Sequence, residues 1–207
     1  MEQYYLDILG KFDLGGEVVS VEPYGEGHIN QTKLVITDRG DKFILQKISE
    51  NAFADVDGLM SNIVRVTEYL RERSDDPRTC MNLVKTRLGQ PYYRADSGAY
   101  RVYEFVKDTI CLQKAETDED FYESAVGFGR FQAQLADFPA DTLVEIIKNF
   151  HNTIDRYRIF KEVVKKDPLG RAKDVQKEIE FALSKEGIFY YLLQRHQKKM
   201  TYILFIY

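Results

Sequence analysis

The chain has 207 residues, 44% of them hydrophobic and 30% charged, with a net charge of −4. That balance fills the core of one large domain or two small lobes, and it supplies no basic surface for nucleic acid. The two cysteines, Cys80 and Cys111, are far apart without CxxC spacing, which argues against a disulfide framework and a thiolate zinc site.

The opening "MEQYYLDILGKF" carries acids and no long apolar run, so it does not read as a signal peptide. Tyr5, Ile8, Leu9 and Phe12 instead give a short amphipathic helix over 3–12. Two runs rich in Val, Ile and Thr follow around a glycine-bearing connection, and "TDRGD" turns the chain into "KFILQKIS". These make a three-stranded meander with loops at 24–29 and 38–41. Residues 57–73 form a helix whose stripe is Leu59, Ile63, Val66 and Leu70. "MNLVKTRLG", "QPYYRADSG" and "AYRVYEFV" read as further strands.

Beyond about residue 107 the chain is helix or loop. A helix over 118–137 carries Phe121, Ala125, Phe128 and Leu135 on or near one face. Further helices are expected over 141–149, 153–166, 170–185 and 188–199, with Asp167-Pro168 as a break. The organisation is α+β in two parts: a β-rich lobe over 1–106 and a helical lobe over 107–207.

Four stretches carry chemistry. In "YGEGHINQT", Gly25 and Gly27 let the backbone approach a bound group, with exposed N–H groups for phosphate oxygens; a plain hairpin turn is the alternative. In "KFILQKIS", Lys47 shares a strand face with Phe43 and Leu45, whereas Lys42, Ile44, Gln46 and Ile48 make a mixed opposite face. A snorkelling side chain explains Lys47 alone. The order strand, glycine loop, strand, inward lysine, helix is nevertheless the layout by which kinase-like folds hold ATP. For a partner of that lysine, Glu68 lies opposite the helix stripe, Asp57 lies off it and Asn62 flanks it, so none is assigned. "YRVYEFVKD" places Glu104, Phe105 and Val106 where backbone groups meet an adenine edge. In "NFHNTIDRYRIF", His151, Asn152, Asp155 and Arg156 gather at a helix entry with Thr153 as a candidate N-cap; a capped helix start with a surface ion pair is the alternative.

Three blocks, "GEGHINQTKLV", "FILQKISENAFADVDGLMSNIVRVTEYL" and "NFHNTIDRYRIF", together resemble the N-acetylhexosamine 1-kinases, which belong to the aminoglycoside phosphotransferase and choline kinase superfamily. The likeness runs from about residue 15 to 185 and is most specific in the middle block. It implies a protein-kinase-like two-lobe fold, ATP and Mg²⁺, and phosphoryl transfer to the anomeric hydroxyl of an N-acetylhexosamine. It implies Gly25, Gly27 and Lys47 at the phosphates, Glu104 and Val106 at the base, and His151, Asn152 and Arg156 on the sugar side.

The same resemblance calls for a catalytic Asp and two magnesium ligands on a His-centred loop and a following strand. None of the three histidines has Asp two residues on, and "DFP" at 137–139 ends a helix ahead of where such a loop belongs. The expectation is a C-terminally truncated kinase without activity of its own. A non-catalytic nucleotide-binding or interaction module, and a kinase for another small alcohol or amino acid, are the alternatives. A cytoplasmic location, no membrane partner (the stretch "MTYILFIY" falls far short of the roughly 20 residues a spanning helix needs) and self-association through uncovered apolar surface complete the expectations.

Overall fold

The computed structural model describes residues 3–25, 29–109, 112, 114–150 and 152–187. The chain divides into two compact units, Met1–Pro139 and Ala140–Tyr207.

The first unit is built on one antiparallel sheet. Its strands are β1 (Val18–Pro23), β2 (Gln31–Thr37), β3 (Lys42–Lys47), β4 (Leu83–Val84), β5 (Tyr93–Ala95) and β6 (Gly98–Glu104). Their order is β1-β2-β3-β6-β4, and β5 pairs with the start of β6. The meander and the later strands thus stand where the hydrophobic alternation puts them. β3 is central because Phe43, Ile44 and Leu45 are all buried, so both of its faces are covered.

Helix α1 (Gln3–Leu9) closes one face of this sheet. Ile8, Leu9 and Phe12 pack there with Val35 of β2, Phe43 and Leu45 of β3, and Tyr100 and Val102 of β6. Each such side chain contributes about 1.5–3 kcal/mol when fully buried. Helix α2 (Val56–Arg71) is capped by Asp55, whose carboxylate accepts from the Gly58 amide at 2.8 Å. Its stripe of Leu59, Ile63, Val66 and Leu70 is buried, as the periodicity predicts, together with Met60. Asp57 accepts from the Tyr92 hydroxyl and Arg71 donates to Asn82, so both ends of α2 are tied to segments flanking the sheet.

Helix α3 (Asp118–Gln134) begins with a capping box in which Thr117 and Asp120 satisfy each other's backbone amides. Its apolar residues lie as the sequence predicts, yet none is buried: Phe121 is 65% exposed and Phe128 56%. Leu135 and Phe138, just past its end, are buried, and Phe138 meets the Tyr69 ring edge-on at 5.1 Å.

In the second unit, the helix expected over 141–149 is only a 3₁₀ turn, Ala140–Thr142. The Glu145 carboxylate takes the Asn149 amide at 3.0 Å, the hydrogen that a helix would give to the Glu145 carbonyl, and Asn149 adopts a φ of 57°. Helix α4 (Thr153–Lys166) has the expected bounds and stops at Asp167, in the left-handed region, before Pro168. The segment expected as one helix over 170–185 splits into a 3₁₀ turn, Ala172–Val175, and α5 (Gln176–Ser184). The break is at Val175, whose φ of −132° is not helical and which has no side-chain cap. The helix expected over 188–199 lies outside the described residues. No helix among the described residues is long and apolar enough to cross a membrane.

Candidate functional site

The connection between β1 and β2 leaves the sheet at Tyr24 and returns at Asn30. Gly25 has a φ of 73°, a left-handed backbone that an L side chain adopts only at a cost, and a Cβ there would meet nothing within 4 Å. The glycine is therefore set by backbone shape and not by crowding. Asn30 fixes the returning end, its Oδ1 accepting from the Ser49 amide at 2.9 Å. Gly27 lies outside the described residues.

The register settles which side chains share a face. Thr32 stands opposite Gln46 and Gln46 opposite Arg101, so these three lie in one row across β2, β3 and β6. Lys47 stands opposite Tyr100, in the set that α1 covers. Lys47 does share its face with Phe43 and Leu45, but that face packs against α1. Its Cε lies only 3.0 Å from where a Cβ on Gly98 would be, a close approach that glycine at 98 permits. A cavity of about 280 Å³ at this end of the sheet is lined by Lys47, Gln31, Ser49 and Ser97.

The opposite face is mixed in character. Ile44 and Ile48 are buried, whereas Thr32, Leu34 and Ile36 of β2 are half-exposed. Tyr24 and Phe105 meet edge to face at 5.7 Å, and the Lys42 ammonium stands 5.8 Å from the Phe105 ring. Burial pushes the Tyr103 phenol upward, and the Arg101 guanidinium beside it downward. Arg101 Nε and Nη2 donate to Gln46 Oε1 at 3.0 and 2.7 Å, and Gln46 Nε2 donates to Thr32 Oγ1 at 3.1 Å. Arg101 Nη1 is buried without a hydrogen-bond partner. Sequence reasoning passed over this row. Its signal was present in "AYRVYEFV", where one arginine interrupts an apolar strand just as Lys47 does in β3.

Glu104, Phe105 and Val106 leave β6 along a cavity of about 540 Å³, whose other wall includes Asp76, Cys80 and Asn82. The Glu104 amide donates to the Asn82 carbonyl at 2.9 Å and the Phe105 amide to the Lys42 carbonyl at 3.0 Å. Glu104 and Val106 thus both line this cavity. On α2, Asn62 is buried and Glu68 exposed.

At the head of α4 the N-cap is Asn152, one residue earlier than expected, its Oδ1 accepting from the Asp155 amide at 3.1 Å. Arg156 Nε donates to the Phe150 carbonyl at 2.7 Å, and Asp155 pairs with Arg158 at 2.8 Å. Asn152 and Arg156 are thus close together and each makes bonds that shape the helix start. His151 lies outside the described residues. Among the described residues no group of three or more His, Cys, Asp or Glu could hold a metal ion.

No known family's sequence profile matches the chain. Among solved structures, it is similar to an aminoglycoside phosphotransferase from Alicyclobacillus acidocaldarius subsp. acidocaldarius, with a TM-score of 0.53 over 90% of this chain and 15% identity. The chain shares the kinase-like fold of that protein over the part it covers. The chain spans about half of that neighbour, 49% of its length. An aminoglycoside 2'-phosphotransferase-IIIa in complex with GDP is 19% identical, covering 99% of this chain and 60% of its own, at a TM-score of 0.49. A spectinomycin phosphotransferase in complex with ADP and spectinomycin is 10% identical, covering 79% and 47%, also at 0.49.

Proposed function

We propose that this chain binds ATP on the sheet face that α1 leaves open. The observation that carries the proposal is the pairing of a glycine loop in left-handed conformation at Gly25 with a half-exposed face directly beyond it, Thr32, Leu34 and Ile36, while the other face is packed shut. The loop's backbone amides suit phosphate oxygens, the apolar strand residues suit a base, and the Glu104–Val106 segment suits the base edge. Gly27 belongs to the same loop in this reading.

The resemblance adds the finer statement: the acceptor is the anomeric hydroxyl of an N-acetylhexosamine, bound on the His151, Asn152 and Arg156 side. Asn152 and Arg156 are engaged in the start of α4, so the sugar rests on the resemblance alone. Magnesium enters in this reading as Mg-ATP, bound to the nucleotide's phosphates. With no Asp two residues after any histidine, turnover by this chain is not expected. A non-catalytic nucleotide-binding module is therefore the reading next to it, and it shares the same site.

A fluorescent ATP analogue displaced by Mg-ATP, together with an assay for sugar phosphate, tests the proposal. Saturable displacement without product is expected. Product formed from an N-acetylhexosamine would overturn the inactive reading, and product from another alcohol or amino acid would overturn the sugar. A folded chain that binds no nucleotide would overturn the proposal itself.

A further inference from the structure

Arg101 is the least explained charge among the described residues. It sits in the middle of β6, is 8% exposed, and makes no ion pair among the described residues. A guanidinium carries five N–H donors and cannot shed its proton. Here two of its nitrogens converge on one neutral acceptor, Gln46 Oε1, and the third, Nη1, has no partner. A buried charge left in that state costs free energy unless a counter-charge arrives. Among the described residues no side chain supplies one.

The row in which Arg101 stands indicates what does. Gln46 offers its oxygen to the guanidinium and its amide hydrogens to Thr32, so the bonds run in one direction from Arg101 across the sheet. Thr32 Oγ1 accepts and keeps its own proton to donate. It is the second residue of β2, immediately after the connection that contains Gly25. Gln46 and Thr32 are half-exposed, so the row meets solvent at its Thr32 end while Arg101 Nη1 lies buried behind Gln46.

In kinase-like folds the phosphate-binding cation of the third strand also pairs with an acid of the crossing helix. Lys47 lies on the α1 side, and the β3 residue on the other side is an uncharged glutamine.

We infer that Arg101, oriented by Gln46 and joined by Thr32, takes the place of the third-strand lysine and binds the phosphates of the nucleotide. The inference rests on the nucleotide reading and assigns its cation. The charge has moved one strand over in the same row, from β3 to β6, and Gln46 has become its positioning residue. Arginine suits the exchange because its planar fork can hold Gln46 with one edge and offer a nitrogen to a phosphate oxygen.

Calorimetric titration of the full chain with Mg-ATP and, separately, with adenosine tests this, using wild type, Arg101→Met, Thr32→Val and Lys47→Ala. Arg101→Met is expected to lose about ten- to hundredfold in Mg-ATP affinity, the range for hydrogen bonds to a charged group. Its adenosine affinity stays at the wild-type value. Thr32→Val shows a smaller loss of the same selective kind, and Lys47→Ala binds both ligands as wild type does. The Tm of Arg101→Met without nucleotide is equal to or above that of wild type, because an apolar side chain replaces an unpaired buried charge.

A lowered Tm or unfolding of Arg101→Met marks the guanidinium as structural and overturns the inference. So does an unchanged Mg-ATP affinity, an equal loss for both ligands, or a selective loss in Lys47→Ala. Wild type that is folded but binds neither ligand refutes the nucleotide reading, a failure distinct from wild-type binding that Arg101→Met leaves intact.

Discussion

Gly25 and Cys80 illustrate how single residues report on this fold. Gly25→Ala places a Cβ in open space but keeps the left-handed backbone, so its cost is conformational, about 1–2 kcal/mol. Denaturant unfolding should show that loss, with weaker nucleotide binding beside it; a neutral substitution would mean that the loop relaxes to negative φ freely. Cys80 is 4% exposed, its thiol donates to the Thr67 carbonyl at 3.5 Å, and burial pushes its pKa up. A thiol so placed holds little thiolate near neutral pH, and thiolate is the reactive form. In a Cys111→Ser background, iodoacetamide should leave Cys80 unmodified until denaturant unfolds the chain. Rapid alkylation of the native protein would contradict the burial. The face of Lys47 was legible at this scale, whereas the identity of that face was not. Period-two alternation groups Phe43, Leu45 and Lys47 together, but which face an N-terminal helix will cover is a long-range fact.

The elements differ in how locally they are specified. The α2 stripe was legible because Leu59, Ile63, Val66 and Leu70 repeat at helical spacing. The segment 141–149 was not, because a side-chain carboxylate at Glu145 competes with its own backbone carbonyl for one amide. Strand β3 was recognised as a strand, yet both its faces carry hydrophobic residues, so periodicity alone could not rank them. The covered face makes α1 a stability element and not a site element. Phe12→Ala should cost about 3–5 kcal/mol in denaturant unfolding, since Phe12 is fully buried in that cluster. Asp55→Ala, which removes only a cap, should cost about 1 kcal/mol. Equal costs for the two would contradict a core centred between α1 and the sheet.

For the molecule as a whole, α3 presents Phe121, Tyr122 and Phe128 at 65%, 62% and 56% exposure, and contiguous apolar surface of this kind favours association. Light scattering coupled to size exclusion should show a mass that rises with concentration, and Phe121→Ser combined with Phe128→Ser should suppress the rise. A monomer at all concentrations would show that the patch is inert. The two-face architecture of the sheet, one face sealed by α1 and the other running from the glycine loop to Phe105, is what the proposed nucleotide binding rests on. Amide hydrogen exchange with and without saturating Mg-ATP tests that link most directly. Protection should rise in the peptides spanning 24–31 and 104–109 and stay unchanged in 3–12. Protection centred on 3–12 and 93–98, or no change anywhere at saturation, would contradict it.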